Sequence, residues 1–185
     1  MSSFSLQLWN ASAIGNVSVV KSCLLSGDNV NFCYKDGLTP LLAACLHNHP
    51  QVVRELMAIE DVDLVVTNIR GMTAMHLACQ YGSVECVRIL VRDWRMTEEL
   101  LNIKNMEGRT TLMEAVSTGQ IACFKEMENL EGVDWATENA DQELLEDVAR
   151  KENHGAVLDY LQLRNNETPL NVVNTDMTGE LLEEL

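Results

Sequence analysis

The sequence predicts an all-α fold, a solenoid of about five helix-turn-helix repeats joined by β-hairpin-like loops, and three observations predict it. The first is recurrence. Glycines at 37, 71 and 108 each stand two positions before a threonine, in DGLTPLLAAC, RGMTAMHLAC and EGRTTLMEAV, so the spacings are 34 and 37 residues. The second lies downstream of each segment: a turn position at Asn48, Gly82 or Gly119, then an apolar doublet at Val52-Val53, Cys86-Val87 or Cys123-Phe124 inside a second amphipathic run. Self-similarity at this period marks stacked supersecondary units. The third is composition: 185 residues that are 46% hydrophobic but 5% aromatic suit a thin aliphatic core continuous between repeats, so one elongated domain is enough.

Taken in order, the first unit runs from Leu8 to Asn31. It lacks the opening turn but keeps Gly15, Val19-Val20, Leu24-Leu25 and the closing Val30-Asn31, as an N-terminal capping repeat would. In the second, Thr39-Pro40 opens one helix and His49-Pro50 the next. RGMTAMHLACQYGSVECVRILV is the fullest copy. The fifth, Glu143 to Leu163, keeps Ala149, a turn at Asn153 and the apolar Val157, Leu158 and Leu161, which suits a polar C-terminal cap. The expected organisation is therefore a repeat domain over 1–164, with units at 5–35, 36–69, 70–106, 107–139 and 140–164. Beyond it an acidic, flexible tail is expected over 165–185, in which Val172-Val173 or Leu181, Leu182 and Leu185 could dock or serve as a linear motif.

The repeated residues have local physical reasons. The recurring glycines sit at hairpin tips that need positive φ. Thr39, Thr73 and Thr110 are placed to cap the first helix of each unit with a hydroxyl. Asn48 and Asn153 stand where other units have glycine at the inter-helix turn, and asparagine tolerates the left-handed region best after glycine.

On these motifs the chain resembles the ankyrin-repeat family. That family's turn motif is D-G-x-T-P-L-H-x-A-A, followed by x-x-G-H, V-V, L-L and a closing V-N or V-D. The resemblance implies a threonine–histidine bond in each repeat, matched here only by Thr73 and His76, because Leu42 and Met113 replace the histidine elsewhere. It also implies a non-catalytic protein-interaction module, an adaptor or inhibitor, that binds a protein across a concave surface of hairpin tips and first helices. By position, the residues facing that partner are Lys35, Asp36, Leu38, Leu46 and His47; Arg70, Met72, Gln80 and Tyr81; and Glu107, Arg109, Ser117 and Thr118. Tyr81, Met72 and Arg70 form the expected central anchor. The alternative is an assembly role, in which the solenoid stacks on itself or on a larger repeat protein through an apolar end at Trp9 or Val172-Val173. A monomer in the cytoplasm or nucleus is expected.

Other chemistry finds little support. His47-Asn48-His49 looks like a metal or nuclease motif, but zinc needs three or four converging ligands. The only other histidines, His76 and His154, belong to different repeats. The triplet therefore reads as a turn with solvated imidazoles, and no metal or cofactor is expected. Six cysteines form no C-x-x-C pair. Five fall on helix positions and read as small core hydrophobes in a reducing compartment, leaving Cys33 as the candidate exposed thiol. No nucleophile elbow, P-loop, dinucleotide fingerprint or H-E-x-x-H marks an enzyme. MSSFSLQLWNASAIG has neither the basic start nor the apolar core of a signal peptide, and no membrane span is expected. A net charge of −15, concentrated in the C-terminal half, makes nucleic acid a poor partner.

One departure from the period invites a functional reading. Between the third and fourth units about one helical turn has been added, in VRDWRMTEELLNIKN. Thr97 is placed to cap a short helix with Leu100, Leu101 and Ile103 turned inward. Trp94, beside Arg92 and Arg95, is then either an aromatic-basic knob for a partner or a cover for the base of the insertion. Trp135, where earlier units have Val30 and Leu64, reads as packing.

Overall fold

The computed structural model describes residues 3–167, with side chains described over 5–164. The tail expected beyond that, including Val172-Val173 and Leu181 to Leu185, lies outside the described residues. Eleven α-helices follow one another: α1 (Ser3–Ile14), α2 (Val17–Leu25), α3 (Pro40–Leu46), α4 (Pro50–Met57), α5 (Ala74–Gln80), α6 (Val84–Val91), α7 (Glu98–Leu101), α8 (Thr111–Ser117), α9 (Ile121–Met127), α10 (Leu145–Lys151) and α11 (Gly155–Glu167). The loop before α3 carries a 3-10 turn at Lys35–Gly37. Among the described residues there is no strand, so the hairpin-like loops are loops in the strict sense.

Helices pair as α1/α2, α3/α4, α5/α6, α8/α9 and α10/α11. First helices α1, α3, α5, α8 and α10 stack on one another in that order, and second helices α2, α4, α6 and α9 form a parallel row. The first helices begin as their sequences require: Thr39, Thr73 and Thr110 accept hydrogen bonds from the amides of Leu42, His76 and Met113. In the last pair Leu144 replaces the threonine, and its amide donates to Asp147 Oδ2 at 3.4 Å instead.

Small residues let the first helices approach closely: Ala43, Ala44, Ala78, Ala115 and Ala149 are all buried. The five helical cysteines are buried and Cys33 is exposed, with all six free. The Cys45 and Cys79 thiols lie against Cys86 and Cys123, and that hydrogen bonding, together with burial, pushes them well above the usual thiol range. They behave as protonated core groups. Phe124 is fully buried and meets Trp135 and Tyr160 edge-on, at 5.6 and 5.9 Å between ring centroids. The Arg164 guanidinium lies 3.6 Å over the Trp135 ring, so Trp135 is a packing residue under a cationic cover from α11.

The insertion forms α7, with Leu101 buried and Leu100 and Ile103 half-buried. Thr97 precedes it but makes no side-chain bond to its backbone, contrary to the expected cap. The helix is held by Thr111, whose hydroxyl donates to the Leu101 carbonyl at 2.9 Å. Arg95 is the structural centre of this region. Its guanidinium donates to the carbonyls of Met57, Ile59 and Glu60 at 2.7, 2.9 and 3.0 Å while paired with Asp93 at 2.7 Å. Arg95 thus fastens the third repeat to the end of α4. Trp94 points away, 85% exposed, and does not cover the base.

Candidate interaction surface

The loops leading into the first helices form a row of fingers whose shape comes from an asparagine three residues before the tip glycine or its equivalent. Asn68 Oδ1 accepts from the amides of Arg70 and Met72 at 2.9 and 3.0 Å. Asn105 does the same for Glu107 and Arg109 at 2.9 and 3.1 Å, and Asn139 for Asp141 and Glu143, both at 2.9 Å. The next residue then donates its amide to the preceding finger: Ile69 to Asp36 O, Met106 to Arg70 O and Ala140 to Glu107 O, at 2.9, 3.0 and 3.1 Å. The fingers are therefore a hydrogen-bonded row.

One extra bridge locks two of them. His76 Nδ1 lies 2.8 Å from Thr73 Oγ1, and Nε2 lies 3.1 Å from the Arg109 carbonyl in the next finger. The Nε2–H donor faces the carbonyl, and Nδ1 accepts from the threonine hydroxyl. Burial dominates and lowers the His76 pKa from 6.5 to about 4, so the ring is neutral near pH 7. The unfolded chain then binds the proton first as pH falls. The contribution of this site is full above pH 6.5 and is lost on acidification towards about 4, a loss of roughly 3 kcal/mol. Replacing His76 with alanine is expected to cost about 1 to 3 kcal/mol at neutral pH. It should also flatten this part of the pH dependence, and urea titrations across the window check both effects.

Between the fingers of the second and third repeats an open groove of about 200 Å³ is lined by Asp36, Leu38, Leu46, Arg70, Gln80 and Tyr81, all expected there, joined by Asn68, Ile69 and Leu77. Lys35 and His47 are exposed in the same two elements. Tyr81 is 55% exposed, Ile69 62% and Met106 74%. The repeat motif does not single out Ile69 and Met106, although each directly follows a finger asparagine.

Two expected surface residues are corrected. Met72 is buried, because its amide is drawn back to Asn68 and its side chain enters the core ahead of the Thr73 cap. Ser117 is also buried, with its hydroxyl donating to Glu114 O within α8. Trp94 follows α6 beside the Arg95 staple and does not line the groove.

Further along the face the chemistry is ionic. Glu114 is 1% exposed and accepts from Gln80 Nε2 and Asn105 Nδ2 at 3.0 and 3.2 Å. Burial raises its carboxyl above the usual range, against the pull of Arg109 at 3.8 Å. Arg109 also reaches Glu107 at 3.0 Å and Glu152 at 3.7 Å, while Arg70 pairs with Glu107 at 3.0 Å. Half-buried Thr118 donates to the Glu114 carbonyl.

A family model described as ankyrin repeats in three copies matches residues 8–98 and 58–139, together well over half of the chain. The chain belongs to the ankyrin-repeat family. Among similar proteins is the NF-kappa-B inhibitor cactus of Drosophila melanogaster, 30% identical over 139 residues, which are 70% of this chain and 27% of cactus. The B-cell lymphoma 3 protein homolog of Mus musculus is 35% identical over 81 residues, 44% of this chain and 18% of that protein. The probable E3 ubiquitin-protein ligase XBOS33 of Oryza sativa subsp. japonica is 36% identical over 84 residues, 45% of this chain and 16% of that protein. The chain thus spans well under a third of each of these relatives.

Seen as an ankyrin stack, the turns between paired helices interlock in a way the single-repeat motif hides. A Cβ on Gly15 would lie 2.6 Å from His49 Nδ1 of the next repeat, and one on Gly119 would lie 2.8 Å from His154 Nδ1. Each imidazole bonds back, His49 Nε2 to Ala13 O at 3.1 Å and His154 Nε2 to Ser117 O at 2.9 Å. Where the turn residue is Asn48 instead of glycine, the next repeat offers the smaller Ser83, whose hydroxyl donates to Cys45 O at 3.0 Å. Of the two imidazoles expected to be solvated in His47-Asn48-His49, only His47 is exposed, and half-buried His49 is an inter-repeat fastener. No group of three or more His, Cys, Asp or Glu side chains among the described residues is arranged to hold a metal ion. No described helix is long and apolar enough to cross a membrane.

Proposed function

We propose that this ankyrin domain is a non-catalytic adaptor or inhibitor that binds a protein partner across the finger and first-helix face. The observation that carries the reading is the groove beside Tyr81, where Leu38, Leu46 and Leu77 line a concavity rimmed by exposed Ile69. Lys35, Asp36, His47, Arg70 and Gln80 supply its polar surround, with Glu107, Arg109 and Thr118 further along. The likeness to cactus, an inhibitor by name, supports this class, and free, mostly buried cysteines fit a reducing cytoplasm or nucleus.

The partner is to be obtained by affinity capture from native extract with mass spectrometry, and calorimetry then locates its site. Tyr81→Ala is expected to weaken binding by about 1 to 4 kcal/mol with an unchanged helical spectrum, and Trp94→Ala to have little effect. Loss with Trp94→Ala alone would place recognition on the insertion instead.

A second reading, self-assembly through the first repeat, is favoured by the exposed apolar Ile14 and Leu25, 72% and 90% exposed. Trp9 does not contribute to it as expected, because it is half-buried against Tyr34 at 4.7 Å. Light scattering separates the two, a monomer at working concentration excluding self-stacking.

A further inference from the structure

The face changes chemistry along the solenoid. Over the second and third repeats it is apolar: the groove among Leu38, Leu46, Leu77 and Tyr81, with Ile69 on its rim and Met106 exposed on the next finger. Over the fourth and fifth it is acidic. On its fingers and first helices there, Glu107, Asp141, Glu143, Asp147 and Glu152 outnumber Arg109, Lys151 and Arg150, the last held by Asp147. The cations near it are already engaged, Arg70 by Glu107, Arg109 by Glu107, Glu114 and Glu152, and Lys151 by Asp141 and Glu143. The charge left to a ligand is negative.

The spacing of the repeats selects the ligand's conformation. Stacked first helices lie about 8–10 Å apart. Residues i and i+7 of an α-helix face the same side and are separated by about 10.5 Å, so a helix laid along the solenoid presents one side chain to each successive repeat. Same-face residues of an extended strand recur about every 7 Å and fall out of step.

We propose that the occupant of this face is an amphipathic helix of the partner. It carries large apolar residues at i and i+7, one in the groove beside Tyr81 and one against Met106, and a lysine or arginine cluster at the end lying over repeats four and five. This rests on the concave-face reading and specifies its ligand.

The test uses fluorescein-labelled synthetic peptides of about 18 residues, five helical turns, titrated against the full chain by anisotropy. The active design has leucines at i and i+7 in a helix-forming background, with lysines at one end, made in both polarities. One polarity is expected to bind about tenfold more tightly than versions with leucines at i and i+5, with glutamates for lysines, or with prolines that forbid the helix. Raising salt should weaken it. Tyr81→Ala and Ile69→Ala should each reduce binding severalfold, and Trp94→Ala should not.

Equal binding by a lysine peptide without leucines would overturn the proposal in favour of bulk electrostatics. Equal binding by the proline version, still sensitive to Tyr81→Ala, would overturn the helix but leave the concave face standing. Binding lost only with Trp94→Ala would remove the face itself. No binding by either polarity also sinks the helical ligand, and the calorimetry on the natural partner then decides the face independently.

Discussion

Alanine at position 108 is expected to destabilise the domain by about 2 to 5 kcal/mol, because Gly108 has the tightest surroundings of the described glycines. Two costs combine. Gly108 has φ of 70°, in the left-handed region, and a Cβ there would lie 2.4 Å from the Ala140 amide nitrogen of the next finger. That nitrogen belongs to the hydrogen-bonded row, so it cannot retreat without giving up its bond to Glu107 O. Gly27 is the control. It has φ of 77° but nothing within 4 Å of the place a methyl would take, so Gly27→Ala should cost only the conformational strain, about 1 to 2 kcal/mol. Urea unfolding followed by far-UV circular dichroism measures both. Equal losses would mean that adjacent fingers do not press on each other.

Removal of Arg109 should cost about 3 kcal/mol at neutral pH, because it leaves the Glu114 carboxylate buried without its nearest counter-charge and with only the more distant Arg70 acting on it. Asn105 and Gln80 remain as donors, which keeps the loss at the lower end for a broken buried pair. The pH dependence identifies the cause. The Glu114 carboxyl is already raised in the folded protein, so its penalty applies above that raised value and is relieved as pH falls through it. Without Arg109 the folded value rises further and relief begins at higher pH. The deficit of Arg109→Ala relative to the parent should therefore shrink on mild acidification, with the His76 contribution common to both proteins. A deficit independent of pH would assign the loss to packing of the arginine stem.

Short-range signals are the legible ones. Thr39, Thr73 and Thr110 act within three residues of themselves, and the left-handed turns at Asn48 and Asn153 need only their own backbone, φ of 55° and 59°. The Thr73–His76 pair is likewise readable from spacing. Two kinds of feature escape a reading of the sequence: those that depend on neighbours some thirty residues away, and those in which a local turn or hydroxyl bond overrides the repeat register. His49 looks like a free imidazole because Gly15, which leaves room for it, belongs to another repeat. Met72 and Ser117 occupy positions that vary on a surface in principle, yet the Asn68 turn and a helical hydroxyl bond turn them inward here. Asn68, Asn105 and Asn139 do not stand out as a series, because Tyr34 takes that place in the second repeat and Gln142, with φ of 63°, replaces the tip glycine in the fifth. Of the groove itself, Asp36, Leu38, Leu46, Arg70, Gln80 and Tyr81 follow from the repeat register, whereas Ile69 and Leu77 require the stacked geometry.

The Arg95 staple gives the solenoid an uneven compliance. The junction between the second and third repeats is clamped along its back, where Arg95 grips three carbonyls at the end of α4. On the finger side Leu42 stands where a bridging histidine would be, leaving the Ile69–Asp36 bond to span the gap. The next junction is tied far more heavily on that side, by His76 to Arg109, Arg70 to Glu107 and Gln80 to Glu114, and the last adds Arg109 to Glu152. With the fewest ties across its finger side, this joint should be the most compliant at its mouth, and that mouth is the groove beside Tyr81. The apolar half of the face should then adapt to side chains of different girth more readily than the acidic half, which is tied by His76, Arg70, Gln80 and Arg109. A ligand that wedges the mouth open would change the curvature of the whole stack from a single point.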